Sequence, residues 1–402
     1  MLEFEIIRDE PRFDALEPVW NPLLKKTRSD CLFTSFEWLR TWWRFYSVGL
    51  KLFIVLIKEA GEPIGIAPFC ILRRSFMEIE RDELGASKLI IPAGPWDPVL
   101  SLKELCFLGS GDVCSDYLDI ICRPDRVDEA MPALSGLLWE HRREWDTINL
   151  DFITADSLAA TSFCPPSKSQ VWVTRRPLIK TLFTPLPDSF EEYLTTLSPN
   201  SRSNIRRYNR KLLGQFPDAE FRFHADSATL DCIMDTFIAL HQARWTAAGE
   251  PGAFSNETFI RFHKSMARIG LERGWLRLGV IEGGGEALFV CYCYRYGDRL
   301  YQYQLGMKHL AGFSLGSAGI SQLIERCIGE GARAFDLLRG EEEYKTHWAK
   351  EAVELFQVRW VQQNLQGGAF YLHNRINTSP RLRSTLKKLF RKSAPAKPRS
   401  AP

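Results

Sequence analysis

DRLYQYQLGMKHLAGFSLGSAGISQLIERCIGEGARAFDLLRGEEEYKTHW, residues 298–348, is the stretch whose pattern decides the fold. From Tyr301 to Leu305 the side chains alternate, with Tyr301, Tyr303 and Leu305 on one side and Gln302 and Gln304 on the other, as a strand with two unlike faces requires. The next residues, Gly312, Phe313, Ser314, Leu315, Gly316 and Ser317, join glycines that permit positive φ to serines able to cap a helix. Ile320, Leu323, Ile324, Cys327 and Ile328 then recur at helical spacing, a stripe that Gly329 and Gly331 can close. The run AFDLL supplies a second strand, and an acidic turn leads from it to Tyr344 and Lys345. The expectation is a βαβ unit with a polar cluster past its second strand.

A glycine-rich loop between a strand and a helix N-terminus leaves backbone N–H groups unpaired at the positive end of the helix dipole, so residues 312–317 can hold a pyrophosphate. The same residues also suit an ordinary βα connection.

Working outward, 402 residues suit two domains, with 45% hydrophobic and 25% charged residues typical of a globular protein. The net charge of +3 gives no argument for a nucleic-acid partner. MLEFEIIRDEP lacks the cationic and apolar regions of a signal peptide, and no apolar run reaches the roughly 18 residues of a membrane span, so a cytoplasmic location is expected. Ten cysteines show no C-x-x-C pair and no histidine at ligand spacing, which reads as buried thiols, with no metal expected. Cys291 and Cys293, two apart in an apolar strand, share one face.

The chain begins with a strand at FEIIRD and helical turns from Leu16 to Leu24. A helix follows in which Phe36, Leu39, Trp43 and Tyr46 share a face, with Trp38 and Trp42 beside it, an aromatic group that reads as core or as a sugar platform. A hairpin is expected over 51–74, then strands at LCFLGSG and DYLDIIC, a helix over 124–144 and a strand at INLDFI. The Pro/Ser run 162–170 reads as a linker. Beyond it come a strand near 177–183, helices over 189–213, 230–248 and 256–273, a second hairpin turning at 282–286, and the opening unit. Hairpin, strand, glycine loop, helix and strand therefore recur in one order, which points to internal duplication. The expected division is 1–170, 171–380 and a basic tail, 381–402, able to touch anionic lipid at a membrane surface or to remain disordered.

Several pieces, in this order, resemble the GNAT acyltransferase superfamily and, within it, the Fem-like and CelD-type proteins, the latter named for a cellulose-biosynthesis acetyltransferase. They are LSPNSRSNIRRYNRKL, HQARW, the hairpin leading to GFSLGSAG, and FDLLRGEEEYKTHW; FTSFEWLRTWWRFY and LGSGDVCSDYLDI match more loosely. The resemblance implies an α/β fold of two tandem GNAT-like domains side by side. It also implies an acyltransferase that moves an acetyl or longer acyl group from CoA, by direct transfer in a ternary complex, to an amine, or else a hydroxyl, of an amino sugar or a cell-envelope or exopolysaccharide precursor. In such enzymes the loop at 312–317 binds the CoA pyrophosphate. The usual loop spacing of Gln or Arg, two residues, Gly, one residue, then Gly or Ala is not reproduced by KHLAGFSLG. Fem-like members alter this loop too and draw on aminoacyl-tRNA, but the long helical arm of such ligases has no counterpart in these interrupted helices. A non-catalytic component of a polysaccharide-synthesis complex is the reading from another class.

Each candidate residue has two readings. Tyr344 could protonate a leaving thiolate and Lys345 could polarise the acyl carbonyl or hold an anionic acceptor, or both could belong to a capping cluster with the neighbouring glutamates. Asp336 could bind the acceptor or act as base, or pair with an arginine such as Arg339, which could itself bind substrate. His241, Arg244 and Trp245 line one side of a helix and suit a base, an anion fork and a ring platform, or a plain helix surface beside a core Trp. Arg206, within a cluster of five cations at 202–211, could steer an anionic acceptor or be a solvated helix face.

Overall fold

The computed structural model describes residues 1–75, 101–247, 249–340 and 342–378. The expected tail at 381–402 lies outside these residues, as does the Gly/Pro-rich stretch at 85–98. In the first half the elements are β1 (Leu2–Ile7), α1 (Glu10–Asp14), α2 (Glu17–Leu24), α3 (Phe36–Tyr46), β2 (Lys51–Glu59), β3 (Glu62–Ser75), β4 (Ser101–Phe107), β5 (Ile121–Cys122), α4 (Val127–Glu140), β6 (Thr147–Ile153) and α5 (Leu158–Thr161). There follow β7 (Val171–Pro185), α6 (Phe190–Thr196), α7 (Pro199–Gln215), β8 (Glu220–His224), α8 (Leu230–Ala247), α9 (Glu257–Glu272), β9 (Leu276–Gly283) and β10 (Glu286–Tyr296). The chain continues with β11 (Arg299–Met307), α10 (Leu315–Gly329), β12 (Ala334–Arg339), α11 (Glu343–Trp348), β13 (Glu351–Gln362) and α12 (Leu365–Thr378).

Twelve of these strands run in one mixed sheet in the order β1-β2-β3-β4-β6-β13-β7-β12-β11-β10-β9-β8, and β5 pairs with β3 beside that path. The α/β class is therefore as expected, and the two halves repeat one another. In each, a hairpin (β2/β3, β9/β10) precedes a strand that pairs in parallel with the strand after the next helix. The parallel contact is short in both: Glu104↔Thr147 to Cys106↔Asn149 in the first half, and Arg299↔Ala334 to Tyr301↔Asp336 in the second. Beyond those pairs the strands part. Each half is completed by a strand out of sequence: β7 follows β6 in the chain but pairs with β12, and β13 follows β12 but pairs with β6. β7 and β13 pair with each other along twelve residues of β13, so the halves are joined by a continuous backbone ladder.

Several expectations change in the structure. DYLDIIC is a strand only at Ile121 and Cys122, because its polar groups serve other contacts. Tyr117 donates to Asp336 at 2.9 Å, and Asp119 accepts the N–H groups of Leu158 and Ala159 at 2.9 Å, capping α5. The helix expected over 189–213 is two, since Ser198 caps α7 by accepting the Ser201 N–H at 3.1 Å and Pro199 takes the first helical position. No strand was expected at 220–224 or 351–362, where β8 and β13 lie.

The alternation expected over 301–305 is broken by a bulge. The register jumps from Cys293↔Gln302 to Tyr292↔Gln304, leaving Tyr303 as the extra residue of β11. Tyr301 and Tyr303 therefore pack with the rings of Phe33, Trp38 and His263, while Leu305 packs on the other side with Leu315 and Leu323 of α10. Cys291 and Cys293 do share that second core, buried and free. The first core crosses between the halves: Trp38 of α3 meets Phe262 of α9 edge-on at 5.1 Å, and Phe33 meets Tyr301 at 5.5 Å. Trp42 and Trp43 are likewise buried, so the aromatic group of α3 is core.

Candidate active site

The parting of β11 and β12 opens the sheet at their C-terminal ends, where ligands collect in α/β folds. Three helices converge on one face of that opening. α10 lies close against the sheet because Gly319 has no side chain: a Cβ there would stand 2.6 Å from the Phe289 ring. Ser314 caps α10, accepting the Ser317 N–H at 3.2 Å. The N–H groups of Leu315 and Gly316 stand in the first turn, where no intrahelical acceptor exists. α7 is clamped alongside, with Asn209 donating to Ser321 and accepting from Gln322 at 2.8 Å. Lys211 reaches across to the Gly312 carbonyl at 2.6 Å, and Gly312 itself sits at φ +87°.

Between these helices and α11 lies a cavity of about 330 Å³ lined by Ser201, Asn204, Tyr208, Ser314, Ser317, Tyr344 and His347, among others. Of the loop residues named from sequence, Ser314 and Ser317 face it, while Leu315 and Gly316 are buried and Phe313 packs at the edge of the core.

Tyr344 lies in α11 with its hydroxyl toward β11, where Gln302 donates to it at 3.3 Å. Burial pushes the phenol well above its usual range; the Glu342 carboxylate adds to this, and Arg244 and the Gln302 N–H oppose it. The group therefore holds its proton throughout the neutral range, which suits an acid. Lys345, only 5% exposed, points the other way: its ammonium donates to the Arg339 carbonyl at 2.5 Å and pairs with Glu342 at 2.9 Å. These bonds close the turn after β12, in which Gly340 at φ +115° occupies a conformation open only to glycine.

Asp336 and Arg339 do not pair with each other. Asp336 is fully buried and accepts from Arg299 at 2.8 Å, Tyr117 at 2.9 Å and the Leu338 N–H at 2.8 Å. Burial raises its pKa, and Arg299 opposes the rise. Arg339 binds Asp116 through both its backbone N–H (2.9 Å) and Nε (2.5 Å), donates to the Ser115 carbonyl, and lies 3.5 Å over the Phe152 ring. Both residues thus fasten β12 to the 113–117 loop of the first half, to which Tyr303 also donates at Val113. Cys114, Tyr117, Phe152 and Leu338, all in this junction, have positive φ between +47° and +63°. Four strained non-glycine residues in one place mark a junction held by its surroundings.

His241 is buried, accepting the Trp245 indole N–H at 3.1 Å and facing the Gln242 carboxamide at 3.3 Å; burial lowers its pKa. Both ring nitrogens are engaged, so it is not open to a substrate. Trp245 is 39% exposed and Arg244 exposed beside it, the latter near enough to Tyr344 to act on its charge. Arg206 is exposed on α7, away from the face formed by Ser201, Asn204, Ile205 and Tyr208. Gln302, Asp116, Tyr117, Arg299 and His347 were not singled out from sequence. Only His347 carried a local signal, three residues after Tyr344 on the same helix side.

Residues 199–346, which span α7 to α11, match the family model described as an acetyltransferase (GNAT) domain. Over those residues the fold is that of an acetyltransferase (GNAT) domain. No curated protein matches the sequence. Among solved structures, FemX aligns at a TM-score of 0.57 and 11% identity, over 92% of this chain and 99% of that one. A conserved protein of unknown function from Bacteroides thetaiotaomicron VPI-5482 aligns at 0.52 and 12%, over 89% and 100%. At such identities the likeness is one of fold alone, and it covers both halves. Among the described residues no helix is long and apolar enough to cross a membrane.

Proposed function

We propose that this GNAT-fold protein is an acyl-CoA-dependent N-acyltransferase, using acetyl-CoA or a longer acyl-CoA, of the CelD-like kind. Its acceptor is an amine on an amino sugar or a cell-envelope or exopolysaccharide precursor. The observation that carries the reading is the half-buried Tyr344, which lines one cavity together with Ser314 and Ser317 at the N-terminus of α10. The residues fit an acyl-CoA: the first-turn amides of α10 with the Ser314 and Ser317 hydroxyls suit a phosphate.

The chain's own contribution is position and one proton. The neutral amine attacks the thioester carbonyl carbon, the C–N bond forms and the C–S bond breaks. The departing thiolate takes the Tyr344 proton, the nitrogen gives up its extra proton to solvent, and the phenolate regains one from solvent. Lys345, tied to Arg339 and Glu342, shapes the turn that presents Tyr344, and His241 holds Trp245 in place. Calorimetric titration with acetyl-CoA and longer acyl-CoAs tests the reading, and a single saturable site is expected. Binding of none of them would sink it, and charged tRNA retained on the purified protein would reassign the donor.

A further inference from the structure

Gln302 occupies the first position of β11 past its last parallel pair with β12, Tyr301↔Asp336, and directly precedes the bulge at Tyr303. Its side chain is 2% exposed. One end of the carboxamide donates to the Tyr344 oxygen at 3.3 Å, and the other end, Oε1, is buried with no hydrogen-bond partner among the described residues. A phenol hydrogen lies in the ring plane on one side or the other. A donor approaching the oxygen from the strand side leaves the hydrogen the side away from the strand. An unmet buried acceptor carries a desolvation cost that an incoming N–H relieves.

We propose that Gln302 is the positioning residue of the transfer: its N–H turns the Tyr344 proton away from β11, and its carbonyl oxygen receives an N–H of the acceptor amine. The bulge makes this possible, because the extra residue Tyr303 returns the following side chains to the opposite alternation and leaves Gln302 facing α11 without a neighbour of like direction at Gln304. The inference rests on the acyltransferase reading above, and the two can fail separately.

The test compares wild type with Gln302→Leu, Gln302→Glu, Tyr344→Phe and the Gln302→Leu/Tyr344→Phe double variant. Acetyl-CoA affinity is read by calorimetry, thiol release from acetyl-CoA is read with glucosamine as the amine probe, and the Tyr344 ring is read by Cζ carbon resonance assigned through Tyr344→Phe. Acetyl-CoA affinity should stay within about two-fold in the Gln302 variants while thiol release falls roughly ten-fold or more in kcat. The double variant should lose no more than Tyr344→Phe alone, because both changes remove one device. The Tyr344 Cζ resonance should shift in Gln302→Leu even without ligand. Equal thiol release in wild type and Gln302→Leu, or an unmoved Cζ resonance, overturns the role of Gln302 alone. Failure of wild type to bind acetyl-CoA overturns the acyltransferase reading, and the resonance still decides whether Gln302 positions Tyr344.

Discussion

Tyr344 and Lys345 are adjacent in sequence and opposite in surroundings. The phenol lines a cavity and the ammonium is buried against Arg339 and Glu342. Tyr344→Phe should lower turnover by about 10²-fold with acetyl-CoA affinity nearly unchanged, as steady-state kinetics beside calorimetry would show. Because burial raises the pKa of Tyr344, its proton is present below the usual tyrosine value of 10.0 and is lost only above it. The rate should therefore show no alkaline fall from this group below that pH. Lys345→Met leaves the Arg339 carbonyl and the Glu342 carboxylate without their donor, and thermal melting should register a loss of about 1.5–3 kcal/mol. Sequence placed both residues past a strand end but could not orient them, since the orientation depends on which of two neighbours on a helix faces the sheet.

At the scale of elements, the sequence showed the βαβ unit clearly, because its apolar stripe and its cap are local. The bulge in β11 was invisible, since Tyr303 continues the alternation of residue types while the backbone interrupts it. The anchoring of β12 was equally hidden, because Asp116 and Arg339 lie 223 residues apart. Asp116→Ala leaves the buried Arg339 guanidinium without its carboxylate. This should cost about 3–5 kcal/mol by urea unfolding. It should also weaken acetyl-CoA binding if the turn after β12 shifts, whereas the same loss of stability from a distant core change would leave that affinity intact.

For the molecule as a whole, a buried histidine sets a pH limit. His263 sits among the rings of Trp38, Phe259, Phe262 and Tyr303, with both ring nitrogens unpartnered among the described residues. Burial pushes its pKa well below the usual histidine range, and His241 is shifted the same way by the same cause. The unfolded chain takes up protons near pH 6.5 that the folded chain refuses, so stability is full above about pH 6.5 and falls below it. Urea midpoints should drop between pH 7.5 and 5.5, and His263→Leu should flatten part of that drop. The order of hairpin, strand, helix and strand in both halves was legible because duplication repeats its signals. Which strand completes which half was not, because β13 at 351–362 went unread as a strand and pairing partners leave no local mark.

That exchange of strands also bears on how the chain is made. Residues up to Ile153 leave the ribosome with the far side of β6 bare, and β13, which covers it, ends at Gln362. At typical synthesis rates the roughly 200 residues between them take about 10–40 s to appear. Through that interval the nascent first half carries an open sheet edge, the kind that recruits strands from other chains. A chain stopped at residue 170 should therefore emerge aggregated, and co-expression of residues 171–378 as a separate polypeptide should restore soluble protein by supplying the missing strand from outside.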